Sequence, residues 1–267
     1  MISIQHLTFG YRGSKKKVFQ GFNLSIESSG IYGLLGKNAT GKSTLLYLLS
    51  GLLRPKEGEV RIGGLSTQEM SQQLLEKLYL VPEEFELPQI TLRKYIALYS
   101  PYYKNFSQEI MDACVKEFEL DYEQKLCSLS MGTRKKALMS FALATNTELL
   151  LMDEPTNGLD IPSKRQFRKV IASSMNEQRI IIISTHQVHD VENLLDHIVV
   201  IGNEGLLLNA STEEIAAQYT FGTHPQGEVL YSERTVDGPL CVARREEGED
   251  ETPVNMELLF EYLTAKK

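Results

Sequence analysis

The segment Gly36-Lys37-Asn38-Ala39-Thr40-Gly41-Lys42-Ser43-Thr44 restricts the fold more than any other part of the chain. Ahead of it, Ile31 to Leu35 is an unbroken apolar run, the composition of a strand buried on both faces. Behind it, a helix starts at Lys42, its Leu45, Leu48, Leu49 and Leu52 fit the helical period, and Gly51 with Pro55 marks its end. A glycine-rich turn between strand and helix aims successive backbone N–H groups at one point, which suits a triphosphate. In that pattern Lys42 reaches the β- and γ-phosphates, Ser43 offers its hydroxyl to Mg²⁺, and Thr44 donates to the α-phosphate. A chance match is the competing explanation, and the placement between strand and helix weighs against it.

The remaining pattern is that of an α/β protein. Ser3 to Phe9 and Phe22 to Ile26 alternate as strands, while Leu149 to Met152 and Ile180 to Ser184 are short apolar runs typical of a buried parallel sheet. Pro162 to Met175 between them predicts a helix, and strands interleaved with helices place ligands beyond the carboxyl ends of the strands. Residues 74–147 carry mainly helical periodicity and are expected to form a helical subdomain.

A second element is independent of the first. The apolar run at Leu149 ends in Asp153-Glu154-Pro155, and two adjacent carboxylates at a strand end are costly unless used. Asp153 would hold Mg²⁺ through water, and Glu154, on the other side of the extended chain, would polarise an attacking water as general base. An acidic turn without chemistry is the plainer alternative.

Composition excludes several classes. No apolar run approaches the roughly 18 residues a membrane span needs, and Met1 to Phe9 lacks the basic and apolar segments of a signal peptide, so a cytosolic protein is expected. A net charge of −7 argues against adhesion to nucleic acid or anionic lipid. Cys114, Cys127 and Cys241 lie far apart and predict buried free thiols, with neither a zinc site nor a disulfide.

From Ile2 to Ser211 the chain resembles the ATP-binding subunits of ABC transporters, closest in character to those of ABC-2-type exporters. Several separate motifs occur in the family's order: Leu129-Ser130-Met131-Gly132-Thr133 looks like the signature loop, Gly158-Leu159-Asp160 like the D-loop, and His186 like the switch histidine. Tyr11 matches the aromatic residue that stacks on adenine. Taken alone, Tyr11 reads more readily as core or turn packing after a strand, and His186 equally as an ordinary histidine.

The resemblance implies a P-loop NTPase core of the ABC ATPase type with an N-terminal antiparallel β subdomain and a helical subdomain. It implies two cassettes, a second copy of the chain or a homologue, enclosing MgATP between the Gly36 loop of one and the Ser130 and Gly132 loop of the other. His186 would then contact the γ-phosphate from its own subunit, and Asp160 would cross the interface. Ser130 is placed to N-cap the helix through Lys135 to Ala144. His189, Asp190 and Glu192 could suggest a metal site, but read better as a solvated helix face.

The chain departs from the family in three places. In the phosphate loop Ala39 and Thr40 stand where small residues are usual, Ala39 in place of a glycine whose backbone can take positive φ; in the signature loop Met131 and Thr133 replace a glycine and a glutamine; and Glu83 replaces a glutamine that touches Mg²⁺. Either Glu83 or Glu84 would approach the metal, and a surface turn is the alternative reading of both.

The ABC-type domain is expected over residues 1–210 and a small C-terminal α+β extension over 211–267. There Ser211-Thr212-Glu213-Glu214 predicts a capping box before a helix to about Tyr219, followed by strands at Glu228 to Tyr231 and Leu240 to Arg244. An acidic loop, Glu246 to Glu251, and a helix from Met256 to Leu263 complete it. The functional expectation is an ATPase subunit at the cytoplasmic face of the membrane, driving a separate permease, for export rather than import. A soluble ABC ATPase acting on nucleic acid or assembly is the rival, but the stretch from Ser43 to Ser130 carries no coiled-coil heptads. A regulator that binds ATP without turnover is the third reading.

Overall fold

The computed structural model describes residues 1–223, 225–236, 238–246 and 248–265. Strands β1 (Ile2–Phe9) and β2 (Phe19–Ile26) pair antiparallel, with Ile4 opposite Leu24. The hairpin feeds β3 (Gly30–Leu35), the phosphate loop and α1 (Lys42–Leu49), after which β4 (Glu57–Ile62) and β5 (Leu65–Ser66) return to the first sheet. The order β2-β1-β4-β5 is the N-terminal antiparallel layer.

A short helix α2 (Gln72–Leu75) leads to β6 (Leu78–Val81), then α3 (Leu92–Tyr99), α4 (Gln108–Glu117) and α5 (Met131–Ala144) form the helical layer. Strand β6 corrects the expectation of helix throughout 74–147: it pairs parallel with β7 (Leu149–Asp153) at the edge of the central sheet. Four residues between polar stretches are too few to show a period. Helix α6 (Ile161–Ser173) and strands β8 (Ile180–Thr185), β9 (His197–Gly202) and β10 (Gly205–Ser211) complete the sheet order β10-β9-β3-β8-β7-β6, in which only β10 runs antiparallel.

The central strands are buried on both sides because alternate residues enter different cores. Leu149, Leu151, Ile180 and Ile182 pack with the α1 leucines and the antiparallel sheet. Leu150, Met152, Ile181 and Ile183 pack with α5 and α6 on the other side. Each such side chain, fully buried, contributes about 1.5–3 kcal/mol.

Beyond Ser211 the capping box forms as expected: Ser211 Oγ accepts from Glu214 N, and the Glu214 carboxylate accepts from Ser211 N, opening α7 (Thr212–Gln218). The expected strands extend to β12 (Val229–Thr235) and β13 (Gly238–Arg244), joined by an unforeseen β11 (Tyr219–Gly222) in the order β11-β13-β12. Within the acidic stretch 246–251, position 247 lies outside the described residues. Helix α8 (Met256–Ala265) buries Leu258 and Leu259 in the core that also holds Ile181 and Ile183. Cys114 and Cys241 are buried as expected, whereas Cys127 is only half-buried. Among the described residues no helix is long and apolar enough to cross a membrane.

Candidate functional site

Register in the central sheet brings three strand ends into line. Leu35 lies opposite Thr185, and Asp153 opposite Ser184, so the Gly36 loop, Glu154 and His186 all emerge at the carboxyl edge of the sheet.

The loop holds its shape through its own backbone. Thr40 N and Oγ1 both donate to Lys37 O, at 3.3 and 2.8 Å, and Lys42 Nζ donates to Gly36 O at 2.8 Å. A Cβ on Gly36 would lie 2.8 Å from Ile201 O, and one on Gly41, at φ 106, would lie 2.6 Å from Val18 Cγ1. Only glycine fits at either position. Ala39 has φ 63, a left-handed conformation that favours glycine. Gly41 caps α1 without any side-chain acceptor, so the first N–H groups of the helix face the cavity.

That cavity, of about 470 Å³, is lined by Tyr11, Asn38 to Thr44, Glu83 and Glu154. Its volume lies within the range of small-molecule sites. Ser14, Lys16, Lys17, Val18 and Asn203 also line it, and the sequence reading missed them. The run Lys15-Lys16-Lys17 just after Tyr11 was the available signal. Lys37 instead lines a neighbouring cavity with Asn203 and Leu263. Of the two glutamates left open, Glu83 lines the cavity and Glu84 does not. Tyr11 stands half out at the mouth, its ring edge-on to Phe9 at 5.1 Å and its hydroxyl 3.0 Å from Thr44 Oγ1.

The carboxylates behave differently. Asp153 is buried and accepts from Ser184 Oγ at 2.5 Å. Glu154 is buried too, but its φ of 45 turns the side chain toward the cavity. That backbone costs about 1–3 kcal/mol and is held by bonds from Glu154 N to Ser184 O and Oγ. Glu154 Oε1 accepts from His186 Nδ1 at 2.9 Å and lies 3.9 Å from Lys42 Nζ. Burial pulls the Lys42 ammonium below its usual pKa, while Glu154, Asp153 and Glu83 oppose that shift.

Asn157 ties three strand ends together and was also missed. Its Nδ2 donates to Glu83 Oε1 at 3.0 Å, and its Oδ1 accepts from Gln187 Nε2 at 3.4 Å. The signal was only its place between Glu154 and Asp160.

Ser130 and Gly132 do not line the Lys42 cavity. Ser130 N-caps α5 as expected, accepting from Thr133 N at 3.2 Å, with Thr133 Oγ1 a further 2.8 Å partner. Asp160 N-caps α6, and the hydrogen bonds from Ser163 hold its carboxyl below the ordinary range. His189 pairs with Glu192 and Asp190 with Lys164, and no group of metal-ligating side chains occurs there among the described residues.

Residues 19–157 match the protein family described as ABC transporter. The bacitracin transport ATP-binding protein BcrA of Bacillus licheniformis is 31% identical over 203 residues, covering 73% of this chain and 65% of that one. The ABC transporter ATP-binding protein NatA of Bacillus subtilis is 27% identical over 224 residues, covering 80% and 91%. Among solved structures, a dimeric ATP-binding cassette in a post-hydrolysis state with ADP and Pi aligns with a TM-score of 0.68 at 21% identity, over 79% of this chain and 98% of that one. The strand-loop-helix cavity, the carboxylates at the sheet edge and these relatives agree: the chain belongs to the ABC transporter family, as one of its ATPase subunits.

Proposed function

We propose that this ATPase works as half of a two-cassette sandwich and drives a separate membrane permease in the export direction. One observation carries the catalytic part: a buried carboxylate, Glu154, sits between His186 and Lys42 at the wall of the phosphate-loop cavity. Glu154 then acts as general base toward water, held in orientation by His186. Lys42 exchanges its bond to Gly36 O for the β- and γ-phosphates, which the open end of α1 also receives. Backbone groups of the Gly36 loop, from Asn38 to Thr44, surround the phosphates, and Tyr11 offers its exposed ring to adenine.

Ser43 and Glu83 line the cavity, whereas Asp153 is buried outside its lining and would act through water; these oxygen donors suit Mg²⁺, a hard cation that keeps several waters and few protein ligands. Bound there, Mg²⁺ would supply positive charge that offsets the charge of the phosphates. A second cassette contributes Ser130 and Gly132, which in this chain stand apart from its own cavity.

The permease is a cytoplasmic-face partner. A groove of about 840 Å³ at the end of α1 and α2, lined by Leu52, Met70, Leu75, Leu78 and Tyr102, leaves Leu52 65% and Tyr102 67% exposed. An amphipathic helix from a permease's cytoplasmic loop covers such a surface. Export rests on the chain's overall likeness to ATPases of ABC-2-type exporters. The net charge of −7 supports no nucleic-acid partner.

Purification from detergent extracts tests the partner: a polytopic membrane protein is expected, and nucleic acid or ribosomes in its place would overturn the transport reading. Mg-dependent ATP turnover, with and without that permease, tests the mechanism, and no turnover in either state would sink it. Energised uptake into inside-out vesicles, where the ATPase faces outward, tests export.

A further inference from the structure

We propose that Lys135 is a positioning residue that ties the catalytic turn of one ATP site to the helix serving the other. The inference rests on the two-cassette reading. Lys135 Nζ donates to Glu154 O at 3.0 Å and to Asn157 O at 2.9 Å, so one ammonium holds both ends of the turn that follows the catalytic carboxylate. The residue is only 4% exposed, and among the described residues its direct partners are two carbonyls and no carboxylate. Burying an ammonium in this way is costly and leaves it few alternative positions. Burial pulls its pKa down, while Glu83, Glu154 and Asp153 favour the charged form.

Lys135 lies on α5, whose N-cap is Ser130. Five helical residues span about 7.5 Å, so the two points move as one rigid piece. The start of the helix also abuts the turn, since a Cβ on Gly132 would lie 3.7 Å from Gly158 O. From the same turn, the Asn157 side chain reaches Glu83 and Gln187, next to His186. A displacement of Glu154 in one cavity is thereby carried to Ser130, which faces the nucleotide of the second cassette.

The test compares Lys135→Met and Lys135→Gln with the unaltered chain. The methionine is expected to lower kcat about 10²-fold while ATP affinity stays within about twofold, because a small displacement of a catalytic group costs rate rather than binding. In a Glu154→Gln background, where MgATP is not consumed, the same substitution is expected to weaken ATP-dependent dimerisation about tenfold by light scattering. Glutamine retains an N–H donor and should recover part of both. If Lys135→Met does not fold, Lys135→Gln carries the same two measurements with smaller expected losses. An unchanged kcat with unchanged dimerisation, or loss of ATP affinity alone, overturns the assignment. If Glu154→Gln by itself stays monomeric with MgATP, the two-cassette reading fails and the link between sites fails with it.

Discussion

Glu154 Oε1 lies 2.9 Å from His186 Nδ1, across 32 positions of sequence, and that bond fixes which way the only cavity-facing oxygen pair of the Asp153-Glu154 step can act. Replacing Glu154 with Gln removes the carboxylate proposed as base but keeps its shape. Turnover should fall about 10²–10⁴-fold with ATP binding retained. His186→Ala releases the carboxylate and should lower kcat without a matching loss of ATP affinity. Steady-state rates with equilibrium binding of a fluorescent ATP analogue check both, and wild-type turnover in Glu154→Gln would remove the general-base role.

What the sequence showed depended on how local each interaction is. The Gly36 loop could be read because a strand, its turn and a helix cap are adjacent in the chain, and Ser130 because an N-cap acts over three residues. The two strand-end carboxylates were visible as an apolar run broken by charge. By contrast, Glu83 meets Asn157 across 74 positions and Lys135 meets Glu154 across 19, and neither pairing leaves a periodic trace. Strand β6 was hidden for a related reason: its edge position comes from pairing with β7, not from its own four residues.

Ala39 is a strained residue with a direct remedy. An L-residue at φ 63 carries about 1–2 kcal/mol of steric cost, whereas glycine there gives up part of that gain through unfolded-chain entropy. Ala39→Gly should therefore raise stability by about 0.5–1 kcal/mol, seen as a higher urea midpoint at unchanged slope. A lower midpoint would show that the methyl group makes contacts outweighing the strain.

The three thiols should react in an order set by burial. Cys127 is half-buried, whereas Cys114 and Cys241 are buried, so alkylation of the folded protein should label Cys127 first. Burial pushes the Cys114 thiol up to about 12, against the opposing pull of Arg179. Its ordinary value is 9.0, so between 9.0 and about 12 the unfolded chain loses a proton that the folded one keeps. Stability from this group is full below that window and falls by about 1.4 kcal/mol per pH unit within it. Urea midpoints of wild type and Cys114→Ala from pH 8 to 11 should converge as pH rises, and parallel curves would contradict the shift.

Leu259 tests whether the last helix belongs to the ATPase core. It is 1% exposed and shares a hydrophobic cluster with Ile181, Ile183 and Val200 of the central sheet, whose carboxyl edge carries the cavity. Along the same helix, Glu257, Phe260 and Glu261 border a cavity with His186, while Leu263 and Thr264 border one with Lys37. A cavity at Leu259 thus opens inside the packing that supports both His186 and the Gly36 loop. Leu259→Ala should cost about 2–5 kcal/mol and shift one cooperative unfolding transition. ATP turnover should fall at temperatures approaching that transition, because the strand ends carrying Glu154 and His186 loosen with it. If calorimetry instead shows a small early transition and an unmoved main one, residues 211–267 fold as a separate unit and α8 does not brace the site.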